Sequence, residues 1–313
     1  MSRVGGRTAV AAIVAALGAS VPPVATAQIL TYRGSIEAKG LFFPQEAAND
    51  PEHLVGDLRA RLEVFAKPAD WLRLAVGLDG LANSYRQVDS RGAPNVSDRG
   101  RLRPALSVRR LSATLVRRAL TLELGKQFVR WGKADVVTPT DRFGPRDFLN
   151  VIDAEFLPVR AGRLAYASST NTIEGVVSVF TPSRTPLLDQ RWTVVPGGAR
   201  SVVLDDRGSR FPSRAQVGAR WSHVGRGYEH SVSFFDGFNH LPNIELSIPA
   251  SLGAAPIPPA GAGVAQIPVG LVRTYPTLRM YGADAAVPTR WVTVKGEVAH
   301  FGTRSALTDE YVI

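Results

Sequence analysis

Eleven stretches of this chain alternate apolar and polar residues with a period of two, and the connectors joining them are in turn very short and long. In 54–66 the apolar set is Leu54, Gly56, Leu58, Ala60, Leu62, Val64 and Ala66, interleaved with Asp57, Arg59, Arg61 and Glu63. A break at Pro68-Ala69-Asp70 follows, and the period resumes with Leu72, Leu74, Val76 and Leu78 against Arg73 and Asp79. Side chains alternate faces along a strand, so each segment carries one apolar and one charged face. Strands that cross a bilayer as a closed barrel need this pattern over about 9–11 residues.

Strands are expected near 30–38, 54–66, 72–79, 105–116, 120–128, 163–169, 173–179, 215–223, 228–235, 276–285 and 290–301. Short breaks follow the second, fourth, sixth, eighth and tenth of these. Long connectors follow the others, including 130–160, 182–213 and 238–273. Outer-membrane barrels have short periplasmic turns and long external loops. A soluble sandwich or jelly roll would alternate too. Its core would call for large aromatics, whereas the apolar faces here are mostly Leu, Val, Ala and Gly. The expected fold is all-β, an antiparallel, up-and-down transmembrane β-barrel with its mature N-terminus in the periplasm. Leu74, Leu122 and Val294 are expected to face hydrocarbon near mid-height.

The first 27 residues read as a cleaved secretory leader. Arg3 and Arg7 give a positive start, 8–19 is an apolar run, and Ala25-Thr26-Ala27 is a small-x-small cleavage pattern. No later segment has the run of about 18 apolar residues that a membrane helix needs. The domain division expected is therefore 1–27 as signal peptide and 28–313 as barrel, in the outer membrane of a Gram-negative cell. The chain has no cysteine, which rules out disulfides and thiolate metal sites. Its formal charge is +10, or +8 with Arg3 and Arg7 set aside. No basic stretch interleaved with aromatics suggests a nucleic-acid partner. The excess charge suits lipopolysaccharide phosphates or anions in a pore, and equally an ordinary solvated surface.

Eleven is an odd number, and single-chain bacterial barrels use an even one. Tyr311-Val312-Ile313 reads as the start of a twelfth strand, and Ile313 is not the aromatic residue that usually ends such barrels. The expectation is a barrel incomplete at its C-terminus.

The most distinctive segment runs Gly125-Lys126-Gln127, Trp131-Gly132, Ala134-Asp135, Thr140-Asp141 and Pro145-Arg146-Asp147. Here the chain resembles a family of large proteobacterial outer-membrane barrels of unassigned function, related to porins. The resemblance is specific over about forty residues, and it implies a pore-like barrel with no particular substrate. Within 130–160, the charged residues include Arg130, Lys133, Asp135, Asp141, Arg142, Arg146, Asp147, Asp153, Glu155 and Arg160. Trp131, Phe143, Phe148 and Phe156 are apolar anchors among them. A loop so anchored is expected to fold into the barrel, with Arg130, Asp135, Asp141, Arg146 and Asp147 facing the water path as a constriction. The alternative is an external cap.

The pore lining expected from the alternation is Arg33, Glu37, Arg59, Arg61, Glu63, Arg73, Asp79, Glu123, Glu174, Arg220 and Lys295. His53, His223, His230, His240 and His300 have no triad-like or ligand-like spacing, so no enzyme, cofactor or metal centre is expected. Asp205-Asp206 and Asp309-Glu310 are adjacent acids without supporting metal-site spacing. The function expected is passive passage of small solutes. The rivals are a specific transporter of polysaccharide or hydrophobic compounds, with periplasmic transport partners, and a plugged structural or adhesive barrel. The partners implied are outer-membrane lipid, lipopolysaccharide and the barrel assembly machinery. Oligomeric state is not legible.

Overall fold

The computed structural model describes residues 29–46, 50–89, 94–134, 138–149, 154–185, 202–247 and 267–303. The expected leader and the segment 311–313 lie outside these residues, as do Asp135 and Asp153.

The chain begins with β1 (Leu30–Phe42), β2 (Leu54–Ala69) and β3 (Leu72–Asn83). Two-residue strands β4 (Val88–Asp89) and β5 (Arg103–Pro104) lie in the next connector. They are followed by β6 (Leu106–Arg117), β7 (Leu120–Gln127), β8 (Val159–Ala167) and β9 (Asn171–Ser178). Strand β10 (Val202–Arg210) precedes β11 (Gln216–Gly225) and β12 (Tyr228–Phe238). Strands β13 (Asn243–Ser247) and β14 (Ile267–Thr274) precede β15 (Thr277–Pro288) and β16 (Thr293–Thr303).

The principal sheet has the order β1-β2-β3-β6-β7-β8-β9-β11-β12-β15-β16. Its pairs are antiparallel throughout. These are the eleven strands expected from the alternation, in up-and-down order. The turns between β2 and β3, β6 and β7, β8 and β9, β11 and β12, and β15 and β16 are all short and lie at one end. Arg118, in the two-residue turn between β6 and β7, takes the left-handed φ of 54° that such a hairpin requires.

The two faces of the sheet are inverted relative to a soluble domain. Large apolar side chains stand exposed on one face: Ile36, Leu58, Leu111, Leu164, Val177 and Val298 among them. The other face holds the polar and charged residues, and many are buried: Glu63, Ser112, Glu174, Ser178, Gln216, Ser231 and Asp284. What covers that inner face is the connector between β7 and β8. Aromatic residues concentrate on the exposed face and turns at the short-turn end, where Tyr32, Trp71, Tyr166, Trp221, Tyr228 and Trp291 are all exposed. Leu74, Leu122 and Val294 sit within three residues of short turns, not at mid-height as expected. Mid-height is marked by the row Val298, Ala283 and Val232, which are register partners across β16, β15 and β12.

The long connectors hold structure that their composition hid. Strand β10 pairs in parallel with β14, and β14 pairs antiparallel with β13. Phe180, Phe238 and Tyr275 pack with Phe211 at the roots of these connectors. Asp206, one of the adjacent acids, is held by Arg101 and by both terminal nitrogens of Arg273 at 2.7 and 3.0 Å.

Candidate functional site

Gly125 launches the connector. Its φ is +124°, and a Cβ there would collide with the Leu111 carbonyl oxygen. Only glycine fits. The consequence is a break in the alternation: Lys126 and Gln127 are both buried, although they are neighbours. The Gln127 amide donates to the carbonyls of Glu123 (3.2 Å) and Ala161 (3.0 Å). The Lys126 ammonium lies 2.5 Å from Asp98. Each residue of Gly125-Lys126-Gln127 therefore has a physical task at the exit of β7.

Trp131 and Phe143 fix the first half of the connector to the wall. Both are almost fully buried, edge to face with centroids 5.0 Å apart, and Phe143 meets Phe235 of β12 at 4.9 Å. Val159, Val176, Leu278 and Met280 complete this core from β8, β9 and β15. A Cβ on Gly218 of β11 would sit 2.7 Å from Trp131 and 2.8 Å from Phe143, so glycine makes the close approach possible. The Trp131 indole N–H donates to Glu174, which also receives Arg163. The Trp131 backbone N–H donates to Asp141 at 2.8 Å, and Arg130 binds the same carboxylate at 3.0 Å. Burial pushes the Asp141 carboxyl above its ordinary range, against the pull of the Trp131 N–H and Arg130. Glu297 of β16 accepts from the backbone N–H groups of Lys133 and Ala134 and from the Thr140 hydroxyl at 2.9 Å. The Lys133 ammonium reaches Glu229 (3.0 Å) and Asp284 (3.4 Å).

The second half presents an acid to the opposite part of the sheet. The Asp147 N–H donates to the Glu155 carbonyl (2.9 Å) and the Leu157 N–H to the Pro145 carbonyl (2.7 Å), so 145–147 and 155–157 brace each other. Arg146 and Arg130 both lie over the Phe156 ring, at 4.3 and 3.8 Å. The Glu155 carboxylate meets Arg59 (2.9 Å), Arg61 (3.0 Å) and Arg109 (3.1 Å). Arg61 also binds Asp79 at 2.9 Å. The register of β3 and β6 shifts at Gly77 and Leu78, which pair with Arg110 and Val108. This bulge turns Arg109 to the same side as Arg110, re-aiming a side chain as bulges do. Desolvation would raise the Glu155 carboxyl, but Arg59, Arg109 and Arg61 outweigh it and hold it below the ordinary value. Asp147 receives Arg184 (3.1 Å) and Arg103 (3.2 Å), and Arg184 also binds Asp98 (2.8 Å).

The connector thus touches β2 and β6 through Glu155, and β8, β9, β11, β12, β15 and β16 through Trp131, Phe143 and the residues that bind Glu297. One segment reaching both ends of the sheet order requires the sheet to curve around it.

Several expected site residues stand elsewhere than foreseen. Asp141, Arg142 and Asp147 are buried against wall and loop, not facing a water path. The cause is electrostatic: each has a protein partner, and a desolvated charge persists only when paired. Arg142 donates to the Pro139 carbonyl (2.9 Å) and lies over Phe301. Arg130 remains half exposed. Of the expected pore lining, Arg59, Arg61 and Asp79 form the Glu155 cluster. Arg33 pairs with Glu63, Glu37 with Lys39 at 2.8 Å, Glu123 with Arg110 at 3.2 Å, and Arg220 with Asp284 at 3.0 Å. Glu174 holds Trp131, while Arg73 and Lys295 are exposed near the short turns. Asp98, Arg103, Arg109, Glu155, Arg184 and Glu297 are the site residues that sequence reasoning did not single out.

No family model and no curated protein matches the chain. Among solved structures it is similar to the FrpB iron transporter from Neisseria meningitidis, with a TM-score of 0.36 and 12% identity. That match covers 80% of this chain and spans 36% of the transporter's length. It is also similar to a triple mutant of the Rhodopseudomonas blastica porin, with a TM-score of 0.35 and 8% identity over 87% of this chain and 84% of that one.

Proposed function

We propose that this chain forms the wall of an outer-membrane channel whose lumen is narrowed by the connector between β7 and β8. The observation that carries this reading is the inverted sheet: exposed Leu, Val and Ile on one face, and on the other a charged surface covered by the connector. An apolar face spread over eleven strands far exceeds the patches that soluble monomers expose. Lipid is the solvent that satisfies it, and antiparallel pairing satisfies the backbone within it. Exposed Trp and Tyr at the short-turn end fit a membrane–water interface. On this reading that end is periplasmic, and the chain reaches it by way of the leader expected at 1–27.

The function proposed is passive movement of small solutes past the connector. The experiment is single-channel recording of the full chain in planar lipid bilayers. Discrete, ohmic conductance steps are expected, and removal of 137–153 is expected to raise their size. A second reading, a plugged barrel, is favoured by how firmly Trp131, Phe143 and Glu297 tie the connector down. Silent bilayers for the parent and conduction after the deletion would select it.

A further inference from the structure

Three arginines of the wall converge on one carboxylate that the wall does not own. Arg59 and Arg61 come from β2 and Arg109 from the bulge of β6, whereas Glu155 comes from the connector. Their wall-borne counter-charges are Asp79, at 2.9 Å from Arg61 and 3.5 Å from Arg109, and Glu37, the cross-strand partner of Arg59, which is itself bound to Lys39. Without Glu155 the wall therefore keeps a net positive surface, since the described contacts set Arg59, Arg61, Arg109 and Lys39 against Asp79 and Glu37. A cavity of about 40 Å³ adjoins the cluster, with Arg59 and Arg109 on its lining together with Asp79 and Glu155, and with Arg103 and Arg184 held there by Asp98 and Asp147. The Arg184 Nε is buried there with no hydrogen-bond partner among the described residues. Arg59, Arg61, Arg109 and Glu155 are all 13–22% exposed, so water reaches the cluster.

We propose that Arg59, Arg61 and Arg109 form a binding site for small oxyanions, carboxylate or phosphate, and that Glu155 occupies it as a tethered competitor. Guanidinium groups present paired N–H donors that match planar carboxylates and phosphates alike. A tethered group competes at an effective concentration in the millimolar range or above. A solute must therefore be abundant to displace Glu155, and it leaves readily, as passage through a pore demands. The depressed carboxyl of Glu155 keeps the competitor charged at neutral pH. This inference rests on the channel reading for its purpose, though not for its chemistry.

The test is calorimetric titration of the full, detergent-solubilised chain with inorganic phosphate and, separately, acetate, at constant chloride-balanced ionic strength. The parent is expected to bind both weakly. Glu155→Gln, which keeps the shape and removes the charge, should bind about tenfold tighter. Adding Arg109→Gln to it should abolish the gain. Glu155→Asp, which withdraws the carboxylate by one methylene, serves if the glutamine variant misfolds, and should lie between. Tightening for phosphate alone or acetate alone assigns the source of the oxyanion. Binding by Glu155→Gln, or failing that Glu155→Asp, no tighter than the parent overturns the proposal. A conducting channel with no such tightening sinks this inference only, and tightened binding in a silent protein sinks the channel reading only.

Discussion

Single residues decide how charge is carried inside this sheet, and two carboxyls illustrate opposite solutions. Asp141 is buried and its carboxyl is pushed up, so the folded chain gains relative stability as pH falls through the region above the ordinary aspartate value. Its main task is to accept the Trp131 N–H. Asp141→Asn keeps an acceptor and should cost under about 1 kcal/mol, whereas Asp141→Ala leaves the N–H unpaired and should cost about 1–3 kcal/mol. Thermal unfolding of the two variants side by side checks this, and equal losses would mean the charge matters more than the hydrogen bond. Glu155 runs the other way. Its folded value lies below 4.5, so the stability it supplies is complete above that pH and is lost as pH falls through the lower folded value. The stability gap between the parent and Glu155→Gln should therefore close in strong acid. A gap unchanged from neutral pH to well below 4.5 would show that the arginines do not act through this carboxylate. Asp141 stood out in the sequence, but as a water-facing charge, whereas Glu155 was one connector charge among several. Both sit in a connector whose charges follow no period, and nothing in residue type tells a buried paired acid from a wet one.

At the scale of elements, the wall was legible and its exceptions were not. Period-two alternation survives in every wall strand because one face meets apolar surroundings and the other meets charge, so the eleven strands could be placed from residues alone. The bulge at Arg109 and the turn-like Gly125 break the period by one residue, and single-residue breaks look like noise in a pattern. Strands β10, β13 and β14 were missed for a different reason. They pair with one another outside the wall, two of them in parallel, within Pro- and Gly-rich connectors whose sequence keeps no steady apolar–polar period. Gly125 is the exception whose removal is most informative. Gly125→Ala should cost roughly 1–3 kcal/mol from backbone strain alone. It should also release Lys126 from Asp98, because the alternation would be restored. Heat-modifiability on gels, with protease cleavage near 126–134 as the second readout, measures both. Resistance equal to the parent would mean the connector does not depend on that exit.

For the whole molecule, the depth of each side chain relative to a bilayer sets what the outer face tolerates. Val298 and Val232 lie in one row at mid-height, and Val294 lies by a short turn. Arginine at Val298 or Val232 should cost about 2–4 kcal/mol, and at Val294 about 0–1 kcal/mol. Folding titrations into lipid vesicles give these values, and equal costs at both heights would argue for a water-facing sheet. Topology gives an independent check. Cysteines at Pro68, Arg118, Asn171, Arg226 and Pro288 should resist a membrane-impermeant thiol reagent in intact cells, and one at Pro94 should react. Labelling of both groups alike would reverse or abolish the orientation.

The Glu297 clasp on the connector also sets a timetable. Its partners, Lys133, Ala134 and Thr140, precede it by more than 150 residues. A chain that emerges from its N-terminus forms the connector early and must hold it unanchored until β16 arrives, because contacts of such long sequence separation close last. During that interval Trp131 and Phe143 can already settle against β8 and β9, but the amides of Lys133 and Ala134 have no acceptor in the wall. The tie between connector and wall is therefore expected to be completed only when β16 is in place, and a lesion at position 297 should delay maturation while sparing the strands made before it.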